Sequence, residues 1–327
     1  MSENKHSASD LVQMQALPLD AKIRMTKNRI QQWYEAFEGE VFVSFSGGKD
    51  STVLLHIARS IYPDIPAVFV DTGLEYPEIR EFVKTIDNVT IVRPEMNFRQ
   101  VILKYGYPVA SKETAKKIKY ARDGSEWAKK YIDGTAVDSE GRPSKYKVSK
   151  KWLKLMDAPF EVSAYCCDVM KKRTAQKYVK ESGRKPILGT MASESKIRET
   201  GWLRTGCNAF ESKNQKSAPM SFWTEQDVLQ YIRKFNIPYA SIYGDIVPTE
   251  ETIRLPILNE EVDVLKTTGC DRTGCMFCMF GCHLEKEPNR FQRMKETHPK
   301  QYEYMLKPIS EGGLGMKEVL DYIGVKY

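Results

Sequence analysis

No stretch of this chain approaches the ~20 consecutive apolar residues that a membrane span requires. The first ten residues, MSENKHSASD, are polar and hold no apolar core of the kind an export signal needs. The reducing cytoplasm is therefore the expected compartment, with no membrane partner. Histidine is scarce: His6, His56, His283 and His298 are the full set, and they form no visible catalytic group. Charge of one sign is also modest, with 50 Lys and Arg against 43 Asp and Glu, a net +7. That surplus fits a nucleotide as well as a nucleic acid and decides between neither. Internal repeats and low-complexity tracts are missing. Seven cysteines in a reducing compartment do not make a disulfide framework. Four of them crowd between Cys270 and Cys282, and Cys166 and Cys167 are adjacent, so metal ligation or redox chemistry is the expectation.

What is present is an ordinary globular balance, 41% hydrophobic and 28% charged over 327 residues, enough for one large core or two modest ones. Residues 19–37 carry apolar side chains at helical spacing. Residues 40–45 (EVFVSF), 66–70 (PAVFV), 88–92 (NVTIV) and 186–189 (PILG) read as strands. Helical patterns over 50–61, 77–86, 168–181 and 224–235 separate or follow them, with Thr224 as an N-cap. The alternation predicts an α/β fold: a doubly wound, mainly parallel, five-stranded sheet. Three segments are expected. Residues 1–38 form a helical N-terminal segment, and 39–250 a nucleotide-binding domain. Residues 251–327 form a small Cys-rich, helical C-terminal region. A stretch at about 107–154, rich in Lys, Arg, Tyr and Trp, reads as a helical and loop insertion. It is either a solvated lid or a surface for a large anion, with rings interleaved for stacking.

The loop Ser44-Phe45-Ser46-Gly47-Gly48-Lys49-Asp50-Ser51 joins a strand to a helix. A helix start presents unpaired N–H groups and the positive end of the dipole. Two glycines let the backbone approach a ligand, and Lys49 with the serine hydroxyls adds donors. This is a phosphate nest. It is not a Walker A loop, because Asp50 stands where Ser or Thr must follow the lysine.

The loop resembles the PP-loop of the N-type ATP pyrophosphatases. Further segments narrow the resemblance to the phosphoadenosine phosphosulfate (PAPS) reductase family. These are Asp71-Thr72-Gly73 with Tyr76-Pro77-Glu78, Gly189 to Ser195 with Arg198, Pro219-Met220-Ser221-Phe222-Trp223-Thr224 with Asp227-Val228, and Ile237-Pro238-Tyr239. The resemblance implies that Ser44, Ser46, Gly47, Gly48, Lys49, Asp50 and Ser51 line the phosphates of ATP, PAPS or adenylyl sulfate (APS). It implies that Asp71, Thr72, Gly73, Gly189 and Arg198 complete the nucleotide site, with Mg²⁺ if ATP is used. Arg204, Lys171 and Lys172 are further candidates for an anionic substrate. Trp223 reads as core, His56 as structural and Cys207 as a lone thiol.

Cys166-Cys167 followed by Cys275-Met276-Phe277-Cys278 resembles the cysteine set of the APS reductases, which holds a 4Fe-4S cluster. The competing set is local: Cys270, Cys275, Cys278 and Cys282 have spacing suited to a cluster or to tetrahedral Zn²⁺. Two departures from the family stand out. No cysteine follows Cys282, where the reductases carry their nucleophile. Met191 stands where they carry an arginine. The expectation is therefore an ATP-dependent enzyme of sulfur chemistry with Lys49 and Asp50 at its centre. It would adenylylate an acceptor and transfer sulfur from a donor, and a nucleic-acid acceptor fits the insertion. The alternatives are a genuine sulfonucleotide reductase, using a thiol reductant and Cys282 or Cys270 as relocated nucleophile, and a non-catalytic nucleotide or redox sensor. An oligomer is compatible with each.

Overall fold

The computed structural model describes residues 4–255 and 260–327. The chain divides into two compact units. The first comprises residues 1–71, 75–93 and 175–274; the second comprises 72–74, 94–174 and 275–327.

The first unit is built on short, apolar, β-branched strands: β1 Val41–Ser44, β2 Ala67–Val70, β3 Val89–Val92 and β4 Lys185–Leu188. All pair in parallel in the order β3-β2-β1-β4. Runs as apolar as Val41-Phe42-Val43 require cover on both faces, and helices supply it. The helix Leu19–Ala36 buries Ile23, Ile30 and Trp33 on one stripe. Lys22 on that helix is only 2% exposed and places its ammonium 2.7 Å from both carboxylate oxygens of Asp227. Asp227 also closes a capping box with Thr224 at the start of the helix Glu225–Phe235. Trp223 is fully buried and His56 bonds the Tyr231 hydroxyl at 2.8 Å, both as the sequence indicated.

Among the described residues the parallel sheet has four strands, where five were expected. Beside β4 the chain offers one bridge only, at Ser217, whose N–H donates to Pro186 O at 3.0 Å and whose carbonyl accepts from Leu188 N at 2.8 Å. Pro219 follows two residues later and has no N–H to extend a ladder. Pro186 is tolerated within β4 because β4 is the last full strand on that side. A separate antiparallel pair, β5 Ile246–Leu255 and β6 Glu260–Thr267, was not expected; it carries an irregularity between Pro248 and Thr252.

The second unit is mainly helical. The 107–154 insertion contributes the helices Lys112–Arg122, Glu126–Ile132 and Lys150–Leu153. Their apolar positions Ala115, Ile118, Ala128 and Trp152 are buried. The helices Arg290–Thr297, Pro299–Leu306 and Met316–Ile323 bury Phe291, Met305 and Leu320. Backbone bridges tie these pieces together: Gly281 N donates to Ala110 O at 2.9 Å, and Tyr107 N to Glu161 O at 2.7 Å. No helix among the described residues is long and apolar enough to cross a membrane.

Candidate functional site

In the first unit, strand succession reverses between β1 and β4: from β1 the chain moves outward to β2 and β3, then returns to β1's other side. Ligands of such sheets lie beyond the strand ends at that switch. The segment Ser46-Gly47-Gly48 emerges there from β1, and Gly189 from β4. Gly47 has φ +72°, and a Cβ on it would meet Ile79 and Val83 side-chain carbons at 2.7 and 2.8 Å. A Cβ on Gly189 would stand 3.2 Å from Asp50 O and Ser51 Cα, so that glycine lets the two loops meet.

Hydroxyls shape the turn. Ser51 Oγ accepts from Ser46 N at 3.1 Å and donates to Gly48 O at 2.9 Å, and Thr52 Oγ1 donates to the same carbonyl at 3.0 Å. The helix Lys49–Arg59 starts at Gly48 with no side chain capping it. Its dipole end therefore stays open to an anion. Lys49 is nearly buried, with its ammonium 2.8 Å from Glu225 and bonded to the carbonyl of Asp271. Its own N–H faces the Tyr243 hydroxyl at 3.3 Å, which in turn meets Thr273 Oγ1 at 2.7 Å.

Asp50 sits in the middle of this charge. Burial raises its carboxyl above the ordinary range, against the pull of Lys49, Arg272 and Arg198. Its Oδ1 is buried without a hydrogen-bond partner among the described residues. Glu194 holds both guanidiniums, pairing directly with Arg198 and with Arg272 at 2.9 Å. Met191 is 2% exposed in the core, and only its backbone N–H reaches the site, 2.8 Å from Glu194 Oε2.

The structure thus assembles Ser46, Gly47, Gly48, Lys49, Asp50, Ser51, Gly189 and Arg198 in one unit, with Ser44 ending β1. Asp71 is buried at the end of β2 and paired with Arg80 at 3.0 Å and Arg93 at 3.2 Å. Thr72 and Gly73 group with the second unit. Arg204 is exposed. Arg272, Thr273 and Glu225 were given no role by sequence, and Glu194 appeared only within the Gly189–Ser195 segment. Arg272 and Thr273 lie inside the run between Cys270 and Cys275, where the cysteines draw the eye.

In the second unit, Cys166, Cys167, Cys275 and Cys278 line one cavity, with Leu74, Phe98, Pro108 and Met170 as its apolar wall and Lys171 beside them. Cys167 begins a π-helical turn, Asp168–Lys172, a geometry frequent at functional sites. Cys275 and Cys278 are joined by a tight turn, Cys278 N donating to Cys275 O at 3.1 Å. The adjacent thiols of Cys166 and Cys167 shift in opposite directions. The hydrogen bond from Cys166 is the chief cause that takes Cys167 down to about 5; the Lys112 and Lys171 ammoniums assist against burial. Cys166 moves up in response, helped by burial and by the other thiols of the cavity. No disulfide links any of these cysteines. Among the described residues no group of three or more His, Cys, Asp or Glu is arranged around a single ion. A cubane asks for something else, one thiolate per iron from separated positions.

Cys282 is 1% exposed, does not line that cavity, and burial pushes its thiol up to about 11. A thiol protonated and covered in this way is a poor attacking group, which argues against the nucleophile role expected for it. Cys270 falls in the first unit and Cys275, Cys278 and Cys282 in the second. Cys207 is a lone buried thiol, raised by burial.

Residues 40–129 and 125–280 match the phosphoadenosine phosphosulfate reductase domain. The chain belongs to the phosphoadenosine phosphosulfate reductase family. It is 21% identical over 298 residues to the uncharacterized protein MJ0973 of Methanocaldococcus jannaschii, covering 89% of this chain and 53% of that one. Over 127 residues it is 30% identical to the phosphoadenosine 5'-phosphosulfate reductase of Salmonella newport, covering 39% of this chain and 49% of that one. It is 22% identical over 226 residues to the adenosine 5'-phosphosulfate reductase of Staphylococcus epidermidis, covering 67% and 72%. The chain spans about half the length of the first of these relatives. A PAPS reductase structure from Candida auris aligns with a TM-score of 0.40 at 15% identity, covering 77% of this chain and all of that one.

Proposed function

We propose that this protein is an ATP-dependent enzyme of sulfur chemistry that activates an acceptor by adenylylation and then transfers sulfur to it. The observation that carries the reading is the buried, unpartnered Asp50 oxygen among Lys49, Arg198 and Arg272. Mg²⁺ is typically held by one or two carboxylates together with substrate phosphates, and Asp50 fits that part. The open helix start and Lys49 bind and orient the phosphates. The acceptor oxygen attacks the α-phosphorus. A new O–P bond forms, the α–β anhydride bond breaks, and pyrophosphate leaves with its charge met by Lys49 and the helix N–H groups. A hydrosulfide from the donor then bonds to the activated centre through its sulfur, the bond from that centre to the adenylyl oxygen breaks, and AMP departs.

The four thiols of the second unit's cavity fit a 4Fe-4S cluster by their chemistry and number, and such a cluster would supply a place to hold sulfur. This chain's own contribution there is an apolar wall that excludes water and two lysines that favour thiolate at Cys167.

A second reading, a sulfonucleotide reductase, is favoured by the names of two relatives. Its attacking thiolate would be Cys167 rather than Cys282. The thiolate would bond to the sulfate sulfur and release the adenosine phosphate, and a thiol reductant would then free sulfite while forming a disulfide. The test uses anaerobically purified full chain. One arm supplies ATP with Mg²⁺ and a mixed nucleic-acid pool and measures pyrophosphate and AMP. The other supplies PAPS or APS with a dithiol and measures sulfite. Pyrophosphate without sulfite supports the first reading, and sulfite lost in Cys167→Ser replaces it with the second. Nucleotide binding without either product leaves a sensor.

A further inference from the structure

We propose that the insertion at residues 107–154 is a docking face for an unpaired nucleic-acid strand, which names the acceptor class and rests on the sulfur-transfer reading above. The insertion holds thirteen Lys and Arg against six Asp and Glu, a surplus of seven. That equals the surplus of the whole chain; elsewhere the two signs balance at 37 each. The field of this protein is thus concentrated in one seventh of its length.

Lys112 and Lys116 are exposed one turn apart on the helix Lys112–Arg122, whose opposite face is buried. Together with Lys119 and Lys172 they rim a recess of ≈ 360 Å³ with Tyr120 and Tyr165 in its wall. The acids of the recess are Glu113 and Asp168; Asp168 pairs with Arg173 at 2.9 Å, and Lys119 is held by Asp123 and Glu161. Lys116 and Lys172 have no carboxylate partner among the described residues. A merely solvated helix would close its charges in i,i+4 pairs.

Rings continue from the recess. Trp127 stands 6.4 Å from Tyr120 and 5.0 Å from Tyr131 between centroids. Trp127 is 48% exposed and Tyr146 75% exposed, although neither serves the core. Beneath them the buried Lys117 sets its ammonium 4.4 Å from the Tyr131 ring centre and donates to Tyr146 O at 2.5 Å. Rings pinned from below and open above offer faces for bases. A duplex keeps its bases stacked inside, so this arrangement suits a strand with bases splayed out. Lys112 also faces the Cys167 thiol, so a strand on this face passes the cysteine cavity.

The experiment measures fluorescence anisotropy of the full chain. The probes are labelled single strands of RNA and of DNA about 20 nucleotides long, longer than the usual site. The matching duplex and inorganic polyphosphate serve as competitors. Single strands should bind in preference to duplex, and the RNA and DNA arms identify the sugar. Trp127→Ala with Tyr146→Ala should weaken binding at least about thirtyfold, the loss of two stacks. Lys116→Glu with Lys172→Glu should weaken it and make the log–log salt dependence shallower by about 1.4, two phosphate contacts' worth. No binding to either strand at low salt overturns the proposal. So does equal competition by polyphosphate with the ring variant unaffected, which would mean a plain polyanion surface. Pyrophosphate release on the same preparations separates the two readings. Release without strand binding removes this surface and leaves the enzyme; variant-sensitive strand binding without nucleotide consumption does the reverse.

Discussion

The nucleotide loop and the basic insertion carry charge in opposite ways. Around the loop nearly every charge is closed in a pair: Lys49 on Glu225, Arg198 and Arg272 on Glu194, Arg80 and Arg93 on Asp71, and Lys22 on Asp227. In the insertion the cations outnumber the acids two to one and several face water alone. Paired charges produce little field at a distance but fix positions to within a hydrogen bond, which suits a small ligand recognised by geometry. Unpaired charges specify little geometry but attract from afar, with a reach of about one Debye length. Asp50 is the exception in the first region, because its Oδ1 is buried among these pairs with no hydrogen-bond partner among the described residues.

The comparison can be broken most forcefully at its most buried pair. Lys22→Ala strands the Asp227 carboxylate and should cost about 3–5 kcal/mol in denaturant unfolding. Replacing both partners by apolar residues should restore most of it. An equal loss in the double variant would mean that volume rather than charge pairing matters there. Next comes Lys49→Ala, which removes the cation proposed to meet the phosphates. Pyrophosphate release should fall by about 10²–10³-fold. Strand affinity in the anisotropy assay should not move, since Lys49 belongs to the geometric region; a parallel loss of both would blur the distinction between the regions.

How far the sequence foretold these regions depends on how local each device is. The loop was legible because its parts, two glycines, a lysine and a helix start, lie within eight residues. Thr224 was legible as a cap for the same reason, its partner Asp227 being three residues away. The cysteine cavity required a bridge of about a hundred residues, which spacing cannot supply and which only the family resemblance indicated. The π-helical turn at Asp168–Lys172 has helical periodicity and so read as plain helix. Among the described residues the expected fifth strand is reduced to a two-bond bridge at Ser217, too short to leave a pattern. The β5–β6 pair did leave one, the alternation Glu261-Val262-Asp263-Val264, which the nearby cysteines overshadowed. Arg272 left none, because its meaning lies in a contact with Glu194, 78 residues away.

Arg272 is the test of intermediate size. It shares Glu194 with Arg198, so Arg272→Ala should leave Arg198 paired and the fold intact. Losing one of two guanidiniums should raise the KM for ATP about tenfold with a smaller change in kcat, as expected for a group that binds ground and transition states alike. A fall in kcat alone would instead make Arg272 a stabiliser of the departing charge. An unchanged KM would leave Arg272 as a surface partner of Glu194 and shrink the nucleotide site to the loop and Arg198.

The smallest effect on stability is the most diagnostic of the exception at Asp50. Burial, the chief influence, raises this carboxyl above the ordinary 3.8 despite the cations near it. An acid raised on folding costs stability once it is ionised. Below its unfolded-state value both states carry the proton and the cost vanishes; above its folded-state value the cost is present in full. Asp50→Asn removes the ionisation while keeping the shape. The variant should therefore melt at a higher temperature than the parent at neutral pH, and the gain should fade as pH falls through the carboxylate range until the two coincide. Pyrophosphate release should drop at least about 100-fold at the same time, giving a more stable and less active protein. A gain that ignores pH would mean that Asp50 is compensated by Lys49, Arg272 and Arg198 like the other charges around it. The first region would then have no unpaired charge, and the case for a metal-bound polyphosphate there would lose its support.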